Sequence, residues 1–197
     1  VVTPPWNFPV AIAAGGVLSA LAAGASVIIK PAPQVVNCGI AMVETLWRAG
    51  VPKENLQVAL VPDNELGLQL VGHQDVDSVI LTGAFETAKL FKNNRARTRL
   101  FAETSGKNGI IISPFADLDL AANDLAKSAF GHAGQKCSAA SLGILIGSVY
   151  SNEQFLKQLV DCVESMKVGY GSQADATVGP LIETPSPKLL RALTQLD

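Results

Sequence analysis

Four short segments carry side chains that could do chemistry, and they follow one another in a fixed order along the 197 residues of the chain. In Gly134-Gln135-Lys136-Cys137 a thiol sits in a polar setting, where a cysteine is a candidate nucleophile. Cys38 and Cys162 instead fall on apolar helical faces, where a cysteine is expected to act as a small buried hydrophobe. In Glu103-Thr104-Ser105-Gly106-Lys107 a carboxylate ends an apparent strand, either as a proton acceptor or as a surface group paired with Lys107. Pro5-Trp6-Asn7-Phe8-Pro9 holds an amide that, from the residues alone, reads as a turn residue between prolines. Lys30-Pro31-Ala32 places a cation at the end of a strand candidate.

Other chemistries lack their markers. The chain has no GxxxxGK[ST] loop, HExxH, GxSxG or GxGxxG, and neither His73 nor His132 has a second ligand at metal-binding spacing, so no metal site is expected. Fifteen Lys+Arg against seventeen Asp+Glu leave a net charge of −2, without the basic footprint of a nucleic-acid binder. Three cysteines make no even disulfide set and suit a reducing compartment, so a cytoplasmic location is expected. Residues 1–29 carry no charge, and Val10 to Ile29 is long enough to span a bilayer. Its Ala and Gly content, the prolines upstream and the lack of flanking anchors argue against a membrane span. No basic residue precedes it to make a secretory signal.

The elements that must position these groups alternate in type. The run from Val10 divides into an Ala-rich helix to Ala22 and a strand Ser26 to Ile29, with Gly24 as the stop, and both are expected to be fully buried. A helix is predicted over Gln34 to Arg48, with Glu44 four residues before Arg48 and an Ala49-Gly50-Val51-Pro52 stop. Leu56 to Val61 reads as strand, Glu65 to Gly72 as helix, Ser78 to Leu81 as strand and Phe85 to Asn93 as helix. Strands over Arg99 to Glu103 and Ile110 to Ser113 follow, then a helix over Asp117 to His132, a strand over Ser141 to Val149 and an amphipathic helix over Asn152 to Met166. Gly169 to Pro187 reads mainly as loop. The alternation predicts an α/β fold with a largely parallel sheet.

With their order, and with 34 residues from Glu103 to Cys137, the four segments resemble the NAD(P)-dependent aldehyde dehydrogenase superfamily. That resemblance implies a parallel-sheet, Rossmann-like cofactor-domain portion over 1–103, joined to an α/β catalytic portion over 104–197. It implies that Cys137 attacks an aldehyde to give a thiohemiacetal, which is oxidised to a thioester. The Asn7 amide and the Cys137 backbone N–H then stabilise the oxyanion, and Glu103 activates the hydrolytic water. It further assigns Trp6, Lys30, Ala32, Gly83, Ala84 and Thr104 to the cofactor and Phe8 and Ser138 to the substrate, with Lys30 against ribose hydroxyls and Ser138 on a substrate carboxylate.

Two departures bear on the cofactor. Pro33 stands where many NAD-preferring members carry a ribose-binding glutamate, and Ala84 where a phosphate-contacting serine is common, so NAD and NADP both stay open. The basic run Lys92, Arg95, Arg97 and Arg99 reads as a solvated loop rather than a phosphate site. Within the superfamily the segments look most like the L-glutamate γ-semialdehyde (1-pyrroline-5-carboxylate) dehydrogenase branch of proline catabolism. Its members stand alone or are fused to a proline dehydrogenase module. Because superfamily members are well over twice this length and commonly oligomerise, the chain is expected to be an internal portion of a homo-oligomeric parent that takes a small aldehyde, with no nucleic-acid partner. The alternative from a different class is a noncatalytic portion serving as an interaction module.

Overall fold

The computed structural model describes residues 1–94 and 98–195. Two compact units divide the chain, Val1–Ser105 and Gly106–Asp197.

In the first unit five short strands alternate with four helices: β1 (Val2–Thr3), α1 (Ala11–Ala22), β2 (Val27–Ile29), α2 (Val36–Arg48), β3 (Leu56–Val58), α3 (Glu65–Val71), β4 (Ser78–Gly83), α4 (Phe85–Asn94) and β5 (Arg99–Thr104). All neighbouring strands are parallel, in the order β3-β2-β1-β4-β5. The chain winds outward from β1 through β2 to β3, then returns and winds the other way through β4 and β5. The reversal lies between β1 and β4, and in such sheets the crevice outside the strands' carboxyl ends is where ligands bind.

The stops after α1 and α2 act through glycine. Gly24 (φ +81°) and Gly50 (φ +104°) adopt left-handed conformations that a side chain disfavours. Each lets the chain return hydrogen bonds to the carbonyls that end its helix. Gly24 N–H donates to Leu21 and Ala25 N–H to Ala20, at 2.9 and 3.0 Å; Gly50 N–H donates to Trp47 and Val51 N–H to Leu46, at 3.0 and 3.1 Å. The core of this unit is Val2, Ala13, Val17, Val27, Ile29, Met42, Val43 and Leu56. Each fully buried aliphatic among them contributes about 1.5–3 kcal/mol.

The second unit has its own core of Ile112, Ala122, Leu125, Ala140, Val149 and Phe155. Strands β6 (Asn108–Ile112) and β7 (Ala140–Leu145) pair in parallel, connected by α5 (Leu118–Phe130). Helix α6 (Glu153–Glu164) packs on α5, and α7 (Pro187–Thr194) follows a mainly irregular stretch that includes a parallel bridge between Val168 and Val178.

Several expectations need correction. Helix α1 is not buried all round: Ala13 and Val17 are buried, while Leu18 and Ser19 face solvent. Cys38 is likewise exposed, because α2 turns Gly39, Met42 and Val43 inward. Arg48 donates to the Thr45 hydroxyl at 3.1 Å, a bond within its own last turn. The segment before α2, Pro33–Val35, is a 3-10 turn, and β3 ends at Val58, three residues short of the predicted Val61.

Asp117 caps α5 from outside, its Oδ1 accepting from the N–H groups of Asp119 and Leu120 at 3.1 Å each. That helix stops at Phe130 because His132 and Ala133 take left-handed φ values of 58° and 55°. Strand β7 stops at Leu145, after which Gly147 (φ +58°) turns the chain into a 3-10 turn. Helix α7 lies in a stretch the periodicity left unassigned, and its start is set by Ser186, whose hydroxyl accepts from Leu189 N–H at 3.2 Å, with Pro187 at the first position. Lys92 lies in the last turn of α4 and Arg99 opens β5, whereas Arg95 and Arg97 lie outside the described residues. Among the described residues no helix is long and apolar enough to cross a membrane, and no group of three or more His, Cys, Asp or Glu is arranged to hold a metal ion.

Candidate functional site

A cavity of about 500 Å³ opens at the carboxyl ends of β1, β2 and β4 in the first unit. Trp6, Lys30, Ala32, Gly83 and Ala84 all line it, although in sequence they belong to three separate segments. Their meeting follows from parallel pairing. Val2 lies opposite Ile29 and Ile80, so the residues that leave β1, β2 and β4 emerge side by side.

Among the described residues Lys30 is the one charged side chain in the buried set, at 6% exposure. A buried ammonium is costly unless paired, and its Nζ donates to Asp63 Oδ1. Asp63 lies just before Asn64, whose side chain caps α3 by accepting from Leu66 N–H at 2.9 Å. Two glycines allow the close packing around Lys30-Pro31. A Cβ on Gly67 would meet the Pro62 carbonyl oxygen at 2.8 Å and Lys30 Cε at 3.3 Å; one on Gly39 would meet Pro31 Cγ at 2.5 Å. Helix α4 begins two residues after Gly83; Ala84, just before it, and Thr87, Leu90 and Phe91 on it line the cavity.

The other predicted residues of this unit lie outside the cavity lining. Thr104 ends β5 opposite Gly83. Asn7 and Phe8 sit in the bend between β1 and α1, where the Phe8 carbonyl accepts from Ile12 N–H at 3.4 Å. Glu103 is exposed near the end of β5, opposite Thr82. Since β1, β4 and β5 are parallel neighbours, Asn7 and Glu103 both lie toward the carboxyl edge of one sheet.

In the second unit Cys137 and Ser138 are exposed on a tight turn closed by a bond from Ala139 N–H to the Lys136 carbonyl, 3.2 Å. Two amide side chains hold this turn. Asn108, at the start of β6, donates to the carbonyls of Cys137 and Ala139 at 2.6 and 3.1 Å. Gln135 acts as a clamp: its Nε2 donates to the His132 and Pro180 carbonyls at 3.2 Å each, and its Oε1 accepts from Ile182 N–H at 3.0 Å. Just upstream His132, Ala133 and Gly134 form three successive left-handed residues. Each non-glycine one costs on the order of 1–3 kcal/mol, strain that folded proteins retain where geometry serves a site. Cys162 is partly buried against the unit's core, as a structural cysteine would be.

Asp63, Asn108 and the Gln135 clamp escaped sequence reasoning. Their local signals were visible as a helix cap and as polar residues flanking strands. Their partners, 33, 29 and 45–47 residues away, were not.

Comparison with known proteins adds the following. The family model described as "Aldehyde dehydrogenase family" matches residues 1–195. A 1-pyrroline-5-carboxylate dehydrogenase of Bacillus licheniformis is 34% identical over 194 residues, 94% of this chain and 37% of its own length. Among solved structures, proline utilization A from Corynebacterium freiburgense is 50% identical, with a TM-score of 0.93 over 100% of this chain and 20% of that one. A betaine aldehyde dehydrogenase from Staphylococcus aureus, solved with NAD+, is 35% identical, with a TM-score of 0.86 over 93% of this chain and 36% of that one. The chain thus spans little more than a third of the length of the curated relatives it matches.

Proposed function

Since this chain belongs to the aldehyde dehydrogenase family, we propose that the complete protein carrying it oxidises an aldehyde to a carboxylic acid with NAD or NADP. The observation that carries this reading is the cavity at the sheet reversal, where Trp6, Lys30, Ala32, Gly83 and Ala84 gather. Its volume of about 500 Å³ falls within the roughly 300–1,000 Å³ of small-molecule sites. Its lining combines Lys30 and Asp63 with neutral polar side chains such as Thr82 and Thr87, groups able to hydrogen-bond the hydroxyls of a nucleotide. When bound, the nicotinamide supplies the hydride acceptor.

The chain's own residues do the rest. Cys137 attacks the carbonyl carbon, its exposure on a tight turn giving substrate access. The Asn7 amide and the Cys137 N–H donate to the oxygen as it gains charge. Hydride loss leaves a thioester on Cys137, and Glu103 takes a proton from the water that hydrolyses it. Phe8 and Ser138 contact the substrate, and Thr104 borders the cofactor site. The portion over 1–103 holds the cofactor and carries the oxyanion Asn7, and the catalytic portion over 104–197 carries the nucleophile Cys137.

The substrate class we assign is L-glutamate γ-semialdehyde, formed in proline breakdown. The relatives named 1-pyrroline-5-carboxylate dehydrogenase support it. The 50% identity to a proline utilization A protein supports a parent fused to a proline dehydrogenase module, and we take that parent to be a homo-oligomer in the cytoplasm. Absorbance of reduced nicotinamide, followed with the complete protein, glutamate semialdehyde and a panel of simple aldehydes, tests this reading. Reduction that is most efficient with the semialdehyde is expected; no reduction with any aldehyde would overturn it.

A further inference from the structure

The backbone that leads into Cys137 leaves α5 through a strained stretch. His132 (φ 58°, ψ 30°) and Ala133 (φ 55°, ψ 32°) are both left-handed, and Gly134 follows at φ +69°. Only glycine adopts that region freely, so contacts with other residues must hold the first two in it. Gln135 supplies two of them: the His132 carbonyl accepts from its backbone N–H at 3.1 Å and from its Nε2 at 3.2 Å.

The same side-chain amide grips a distant segment. Its Nε2 donates to the Pro180 carbonyl at 3.2 Å while its Oε1 accepts from Ile182 N–H at 3.0 Å, much as the peptide group of a paired strand would. Few side chains can do both. An ionised Glu has the same length but only accepts, and would turn an oxygen onto two carbonyls. Asn carries both groups on a stem one methylene shorter. Cys137 lies two residues beyond Gln135, and after the cysteine Asn108 holds the Cys137 and Ala139 carbonyls. The turn is thus fixed on both sides, with Gln135 controlling the approach to the peptide that carries the Cys137 N–H.

Resting on the family reading above, we infer that Gln135 is a positioning residue for the reaction: by pinning the left-handed stretch to Pro180 and Ile182, it sets where the Cys137 thiol and N–H stand toward the substrate carbonyl. A misplacement on the order of 1 Å can lower a rate about a hundredfold.

Steady-state kinetics of the complete protein with glutamate semialdehyde, together with calorimetry of NAD binding, test this. Gln135→Glu and Gln135→Asn are each expected to lower kcat/KM for the aldehyde by about tenfold or more, with NAD affinity within about twofold of wild type. The affinity should hold because every residue lining the nucleotide cavity belongs to the first unit. Ala133→Gly added to Gln135→Glu relieves the left-handed strain, and is expected to raise Tm without restoring kcat/KM, since it frees the backbone rather than aiming it. Unchanged kcat/KM in both single variants, a fall of NAD affinity in step with kcat/KM, or recovery of kcat/KM along with Tm in the double variant would overturn the inference and leave the dehydrogenase reading intact. A folded wild type that oxidises no aldehyde would overturn both.

Discussion

The side-chain amide of Asn108 donates to the backbone carbonyl of Cys137 across 2.6 Å, and so ties the turn that carries the thiol to the first residue of β6. A second bond from the same nitrogen, 3.1 Å to the Ala139 carbonyl, spans the turn. Asn108→Ala removes both donors. About 1–3 kcal/mol of stability is expected to be lost, read from urea melts. Alkylation of Cys137 by iodoacetamide should change rate in Asn108→Ala, while that of exposed Cys38 should not. An unaltered Cys137 rate would show that the turn holds its form without Asn108.

The three cysteines differ in role. Cys137→Ser is expected to remove aldehyde-dependent reduction of the cofactor, because a hydroxyl is a far weaker nucleophile at neutral pH. Cys38→Ser, exposed on α2 and away from both cores, should leave the rate unchanged. Equal loss in both variants, measured as kcat, would contradict the assignment.

Lys30-Pro31 is wedged against α2 at Gly39, where an added Cβ would lie 2.5 Å from Pro31 Cγ. Gly39→Ala must push the Lys30-Pro31-Ala32 segment outward. Overpacking of this kind costs about 1–3 kcal/mol, and the cavity wall shifts with it. Calorimetry should show weaker nucleotide binding, with Cys137 alkylation unaffected. Unchanged nucleotide affinity would mean that the segment does not shape the cavity.

Much of this architecture was legible in the chain. Gly24 and Gly50 marked helix ends because their left-handed turns need no side chain, and the alternation from Val10 to Glu103 specified parallel pairing. The misreadings have local physical causes. His132 and Ala133 bend the end of α5 in a conformation that no propensity favours, and Gly147 cuts β7 short although the apolar run continues to Val149. Cys38 looked buried because its neighbours Val36 and Ile40 are apolar, yet the inward face of α2 is set by Gly39, Met42 and Val43. At the candidate site, single residues were visible but long-range partners were not. Nothing near Lys30 in sequence points to Asp63, since parallel crossovers separate neighbours in space by whole helices.

The thioester is the central claim, and Glu103→Gln isolates it. Without the carboxylate, acyl transfer to Cys137 should proceed while hydrolysis stalls. The complete Glu103→Gln protein, mixed with glutamate semialdehyde and NAD, should give a burst of reduced cofactor equivalent to its active sites. Mass spectrometry of the digest should then find the glutamyl acyl group on the peptide containing Cys137. An unmodified Cys137 peptide accompanied by full steady turnover would contradict the account.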